Sequence, residues 1–208
     1  MVTGAAPAGD VMPRISVLPC LGLFLVLAGP AYAVSDEIQV YTGEIVPVGE
    51  LGLTWHNNYA FDGLTAPDFP AGQADNHTYS SVTEFALGVT PWFEAGLYLP
   101  LFSRASNRGW SYNGFKLRAL FVQPDNGDKD FYYGVNFEFS WNEKSWDERK
   151  NTNEVRPIIG WRFGDERRWS LTFNPILDNS YVGFSRLDFA PSTRLDYRID
   201  EKWTVAAE

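Results

Sequence analysis

Large apolar side chains recur at every second position over most of the chain beyond residue 48. Between residues 131 and 141 every odd position is large and apolar or aromatic. The even positions of that stretch are Tyr132, Gly134, Asn136, Glu138 and Ser140. Successive side chains of a β-strand point to opposite faces of the sheet. The alternation therefore predicts strands with one apolar face and one polar face.

Nine segments with this pattern are separated by turn-rich stretches. They are residues 49–59, 78–90, 92–102, 110–122, 130–142, 153–164, 168–178, 184–198 and 202–208. Most of them reach the about 9 to 11 residues that a tilted strand needs to cross a bilayer, whereas strands of soluble proteins usually have about 5 or 6. The predicted fold is all-β: an antiparallel up-and-down transmembrane β-barrel, with about 9 to 10 strands present.

The predicted connections alternate between longer and tighter ones. The longer ones are residues 60–77, 103–109, 143–152 and 179–183, and the tighter ones lie around 90–91, 125–129, 164–167 and 199–201. Long external loops and short periplasmic turns are typical of outer-membrane barrels. If the first strand runs outward, all longer connections lie outside the cell and the N-terminus lies in the periplasm.

The predicted ninth strand, 202–208, stops without a partner at Glu208. An open edge in lipid leaves backbone groups without hydrogen bonds, at a cost of several kcal/mol each. We therefore expect the complete barrel to contain at least one further strand C-terminal to this residue.

The N-terminal stretch has the features of an export signal. Arg14 precedes an apolar run from Ile15 to Ala28, and Ala31-Tyr32-Ala33 is a small-x-small cleavage site. The run is shorter than the about 20 residues that a spanning helix needs. Residues 1–33 are therefore predicted to be a signal peptide, and residues 34–48 a periplasmic segment or one that enters the lumen.

Composition and charge limit the classes of partner and site that the chain can have. Aromatic residues make up 16% of the chain, yet its mean hydropathy is −0.23, as expected when polar and apolar positions alternate. The net charge of −9 argues against a nucleic-acid partner. The single cysteine, Cys20, lies within the predicted signal, so we expect no disulfide and no cysteine metal site in the exported protein.

Charged residues on the predicted inward face are the candidate functional residues. They are Glu84, Glu94, Lys116, Arg118, Glu138, Arg156, Arg162, Arg186, Asp188 and Arg194. One interpretation is that they line a selective pore. The other is that they pair across strands and fill the lumen of a narrow barrel.

Three other patterns allow alternatives. His56, with a serine such as Ser80, Ser81 or Ser140, could act in a lipid-modifying enzyme, although an ordinary lumenal role is favoured. The loop 61–77 contains Asp62, Asp68, Asp75 and His77 without a known metal-loop spacing, which favours a solvated surface loop. Many aromatic residues near strand ends indicate interfacial girdles rather than a sugar site; they are Trp92, Phe93, Trp110, Tyr112, Trp141, Trp161, Trp169 and Trp203.

Two short stretches carry a family resemblance: Asp-Glu-Ile-Gln-Val-Tyr at 36–41 and Trp-His-Asn-Asn-Tyr at 55–59, followed by long alternating strands. With them the chain resembles a poorly characterised proteobacterial family of outer-membrane β-barrels, described as transport proteins or by association with phenol degradation. The resemblance implies a barrel of about 12 strands. It implies no catalytic residue.

These observations favour a Gram-negative outer-membrane barrel that acts as a passive channel or small-solute transporter, with membrane lipid and small solutes as partners. We expect no enzymatic activity, cofactor or metal. The alternatives are a plugged structural or adhesion barrel that acts through its external loops, a lipid-modifying outer-membrane enzyme, and a soluble exported β-protein. In the last case the aromatic face would be buried in a core.

Overall fold

The computed structural model describes residues 39–180 and 187–208, with the side chains of 39–178 and 189–208. The predicted signal peptide, 1–33, and the first residues of the segment 34–48 lie outside this range. The strands are β1 (Leu51–Tyr59), β2 (Tyr79–Thr90), β3 (Phe93–Ala105), β4 (Gly109–Val122), β5 (Phe131–Asn142), β6 (Asn151–Phe163), β7 (Trp169–Ser180), β8 (Leu187–Arg198) and β9 (Thr204–Ala207).

Each strand pairs antiparallel with the strand before it, so that the order in the single sheet is β1 to β9. The prediction of an all-β, antiparallel up-and-down fold is confirmed. The edge strands β1 and β9 do not pair with each other, and closure into a barrel stays a prediction. Two single 3-10 turns, Asn126–Asp128 and Asp165–Arg167, are the helical segments of the described residues. Within the same residues, no helix has the length and apolar character to span a membrane.

Strands β2 to β8 are 12 to 14 residues long, and their bounds lie close to the predicted ones. The prediction of a long connection at 103–109 is wrong. Strand β3 continues to Ala105, and β4 begins at Gly109, whose φ of +80° suits the tight turn between them. The polar run there looks like a loop, but its residues pair in register, with Ser103 opposite Ser111 and Arg104 opposite Trp110.

The period-two pattern changes phase within β3. The period-two pattern of the predicted segment 92–102 places Leu101 on the apolar face with Leu97 and Leu99. In the structure only 3% of Leu101 is exposed, and it lies on the face opposite to theirs. The register shifts between Tyr98 and Leu101, where Pro100 has no N–H to donate to the ladder. An irregularity of this kind adds a residue to one strand and reverses the facing of the positions that follow.

The sheet has an inner face, which is buried and largely polar, and an outer face, which is exposed and apolar. On the inner face Asn136 and Asn174 are 0% exposed and Arg118 is 6% exposed, whereas Leu53 and Trp55 on the outer face are 66% and 67% exposed. The small apolar core lies on the inner side and consists of Leu120, Val122, Tyr132 and Ile158. Burial is therefore inverted relative to a soluble sheet.

The inner face curls around residues 39–48, hereafter the Tyr41 segment. Tyr41 hydrogen-bonds both Tyr98 of β3 and Asn174 of β7. These strands are four neighbours apart, which is about 19 Å in a flat sheet at about 4.8 Å per pair. One residue bridges that separation only because the sheet is strongly curved. The polar side chains of β2 to β7 thereby converge on one segment.

Candidate functional site

The backbone of the Tyr41 segment is held by side chains of the sheet and of the turn between β4 and β5. Asn174 of β7 accepts from the Tyr41 N–H at 2.7 Å and donates to its carbonyl at 3.1 Å. Asn126 donates to the Gly43 carbonyl at 2.6 Å. Glu94 accepts from the Val46 N–H at 2.6 Å. The segment is therefore anchored at intervals along its length rather than by a strand ladder.

The Tyr41 ring lies at the centre of the inner face. Its hydroxyl donates to Glu138 Oε1 at 2.9 Å and lies 2.5 Å from the Tyr98 hydroxyl. The guanidinium carbons of Arg118 and Arg156 lie 5.4 and 4.7 Å from the ring centroid. Cations over an aromatic face are attracted by its quadrupole. One side chain thus satisfies groups from four strands.

Arg118 is the centre of the first charge cluster. Its Nη2 lies 2.6 Å from Glu84 Oε1 and 2.5 Å from Glu94 Oε1. His56 Nε2 lies 2.9 Å from the second oxygen of Glu84. Buried charges are tolerated only when they are paired and hydrogen-bonded. The cluster therefore ties β1, β2, β3 and β4 together on the inner face.

Glu138 and Glu154 are the centre of the second charge cluster. Lys116 Nζ lies 3.8 Å from Glu138 Oε2, and Asn136 donates to Glu138 Oε1 at 3.1 Å. Arg156 makes a two-pronged pair with Glu154, at 2.7 and 3.1 Å, and also donates to the Gln39 carbonyl of the Tyr41 segment. Both clusters therefore contact the same segment.

The ten predicted site residues fall into three groups. Glu84, Glu94, Lys116, Arg118, Glu138 and Arg156 come together around the Tyr41 segment. Arg162 and Arg194 lie nearer the other end of the sheet: Arg162 lies over the Tyr132 ring at 4.2 Å, and Arg194 pairs with Asp196 and Glu208. Arg186 and the side chain of Asp188 lie outside the described residues.

Sequence reasoning missed Tyr41, Glu154 and Asn174. Glu154 and Asn174 occupy even positions of their strands, where the inward polar face was expected, and the alternation signal could have included them. Tyr41 lies outside any strand, and no periodicity indicates its position. It lies in the stretch 36–41 that carries the family resemblance. The sequence alone does not show its contacts, so it suggests no role for this residue.

Two cavities open on the inner face, one on each side of the Tyr41 segment. The first, of about 250 Å³, is lined by Gln39 and Tyr41 of the segment, with charged side chains that include Lys116, Glu138, Glu154 and Arg156. The second, of about 580 Å³, is lined by Thr42 and Glu44 of the segment, with the charged side chains Arg162, Glu166, Arg167, Arg168, Arg194, Asp196 and Arg198. Successive residues of one segment therefore face different cavities.

The connection 60–78 is exposed over most of residues 61–71, as a solvated loop was predicted to be, but residues 72–74 are buried. Gln73 and Ala74 are 6% and 0% exposed, because Gln73 accepts from Ser103 at 2.5 Å and donates its N–H to the Ser145 carbonyl at 3.1 Å. The loop thus folds onto β3 and the connection 143–150. Partial burial, with Asp68 nearby, raises the pKa of Asp75. Among the described residues no three metal-ligating side chains come together.

His56 contacts Ser81 through its backbone and Glu84 through its ring. The Ser81 hydroxyl donates to the backbone carbonyl of His56 at 2.9 Å, and the ring Nε2 contacts Glu84. The ring also lies 6.0 Å from the Tyr98 ring. His56 therefore belongs to the Arg118 cluster.

No family model, curated protein or solved structure matches this chain. The family resemblance of the two short stretches stays a prediction, and function has to be argued from the geometry.

Proposed function

We propose that the chain forms the wall of an outer-membrane β-barrel and that small solutes cross the membrane passively along its polar inner face. The observation that carries the proposal is the inverted burial: charged and amide side chains are buried while leucines and tryptophans are exposed. In water this arrangement leaves a large apolar surface uncovered. In a bilayer the same surface contacts acyl chains, and the polar face borders an aqueous lumen.

Aromatic rings at both ends of the strands support the membrane setting. At one end Tyr79, Phe102 and Trp110 contact one another, with centroids 5.6 to 6.4 Å apart. At the other end Phe93 stacks on Phe121 at 4.8 Å, and Trp169 lies 4.6 Å from Tyr197. Aromatic girdles at both interfaces are typical of outer-membrane barrels.

The two cavities support a path for solutes. Charged and polar side chains contribute to the lining of both, and together they extend along the inner face on either side of the Tyr41 segment. A lumen with fixed charges passes small polar solutes by diffusion and selects among them by charge. No cofactor is needed for this function.

The channel is tested by current across a planar bilayer that contains the refolded full-length protein. We expect discrete current steps, and we expect Lys116→Gln to shift the reversal potential towards cations, because one positive charge leaves the first cavity. Lys129→Gln, in the turn between β4 and β5, is the matched control and should leave the potential unchanged. A protein that inserts but carries no current, with and without Tyr41, would contradict the channel.

A plugged structural barrel that acts through its external connections is the second candidate. The specific observation in its favour is the Tyr41 segment, whose hydrogen bonds and ring contacts fill the middle of the inner face. This candidate predicts full membrane insertion without current in wild type and in variants of the segment.

A further inference from the structure

We infer that Tyr41 is the constriction residue of the proposed channel, and that the Tyr41 segment sets how much current passes. This inference rests on the proposed function, since it assigns the narrowest point of that path. It concerns a residue on no strand, which the sequence pattern did not single out.

The first argument is the position of the segment between the cavities. Gln39 and Tyr41 line the first cavity, and Thr42 and Glu44 line the second. The chain therefore passes from one cavity to the other within a few residues. This position places the Tyr41 segment on the path of a solute that moves along the inner face from one cavity to the other.

The second argument is the set of contacts that hold the ring across the path. The hydroxyl is bound on one side by Tyr98 and Glu138, while Asn174 holds the backbone from the opposite wall. Tyr98 is on β3, Glu138 on β5 and Asn174 on β7. The residue, through its side chain and its backbone together, thus joins the two walls of the curved face.

The third argument is that the segment is not built into the sheet. Its backbone makes one isolated bridge, Val48 with Gly88, near its end. The other anchors are side-chain contacts that can be deleted singly without loss of a ladder hydrogen bond. The segment can therefore leave the path while the nine strands keep their pairing.

The experiment compares single-channel conductance of the full-length protein with Tyr41→Ala, Tyr41→Phe and Asn174→Ala. We expect a severalfold larger conductance for Tyr41→Ala, because the ring no longer separates the cavities. Tyr41→Phe keeps the ring but loses its hydroxyl bonds, and Asn174→Ala frees the backbone. Both should open more often than wild type, with a smaller gain in conductance.

Ser192→Ala is the matched control. Ser192 lies opposite Asn174 across β7 and β8, and its buried hydroxyl has no hydrogen-bond partner within the described residues. This variant removes a polar group beside Asn174 without removing an anchor of the segment. Its conductance should equal that of wild type.

The outcomes separate the inference from the proposed function. Equal conductance in wild type, Tyr41→Ala and Asn174→Ala would overturn the constriction and leave the channel standing. Inserted protein without current in every variant would overturn the channel itself. If Tyr41→Ala loses its β-sheet circular dichroism spectrum, the conductances of Tyr41→Phe and Asn174→Ala are compared with that of wild type instead. Values equal to wild type would then overturn the constriction.

Discussion

Leu117 and Arg118 are neighbours in β4, yet the leucine is 43% exposed and the arginine is 6% exposed. The leucine belongs to the outer face, where apolar side chains have few protein neighbours. The arginine belongs to the inner face, where it has two carboxylates and a tyrosine ring around it. The contrast is the one expected if the outer face contacts lipid, as proposed, while paired charges hold the inner face together.

Removal of Arg118 should have the largest effect on this contrast. Arg118→Ala leaves Glu84 and Glu94 buried without their cation, which costs about 3 to 5 kcal/mol of unfolding free energy. Arg118→Lys should recover part of the loss, because an ammonium keeps the charge but lacks the planar fork. The measurement is urea unfolding from lipid vesicles, followed by tryptophan fluorescence.

Arg168→Ala is the control for this substitution. Arg168 pairs with Glu166 at 2.6 Å in an exposed turn, and exposed ion pairs contribute little to stability. The urea midpoint of this variant should equal that of wild type. A loss as large as that of Arg118→Ala would mean that the inner cluster has no special importance.

A charge on the outer face should have the next largest effect. Leu117→Arg places a guanidinium in the middle of the predicted lipid-facing surface, at a cost of about 2 to 4 kcal/mol near the bilayer midplane. Leu64→Arg, in the connection 60–78, is the matched control because its leucine is 44% exposed. Folding yield into vesicles should fall for position 117 alone. Equal yields would place both leucines in water.

A methyl group on the inner face should have a smaller effect. A Cβ at position 160 would lie 2.0 Å from Tyr132 Cζ, and that ring is fixed by a 2.5 Å hydrogen bond to Thr172. Gly160→Ala should therefore cost about 1 to 3 kcal/mol through overpacking. Gly127→Ala, with nothing within 4 Å of its Cβ, should leave the urea midpoint unchanged.

The sheet was predictable because a period of two is a local signal. Strand existence, order and most bounds followed from alternation, and so did the facing of Glu138 and Arg118. Leu101 was misplaced because the irregularity at Pro100 reverses the pattern without a change in composition. The burial of Gln73 depends on Ser103 and Ser145, which are distant in sequence.

The candidate site was predictable only in part, because the period-two pattern is a local signal and contacts between distant residues leave none. Charges on even positions pointed to the inner face, and six of the predicted residues gather there. The element around which they gather, Tyr41, is held by tertiary contacts with β3, β5 and β7. A single sequence shows no periodic signal for such contacts.

The central claim is that the outer face contacts lipid, and spin labels along β5 test it most directly. Single cysteines would be placed at each position from 131 to 141 in a Cys20→Ser background, and the protein reconstituted in vesicles. The account predicts that labels at odd positions are relaxed by oxygen, which partitions into lipid, and that labels at even positions are not. Odd positions relaxed by a water-soluble nickel complex instead would contradict it.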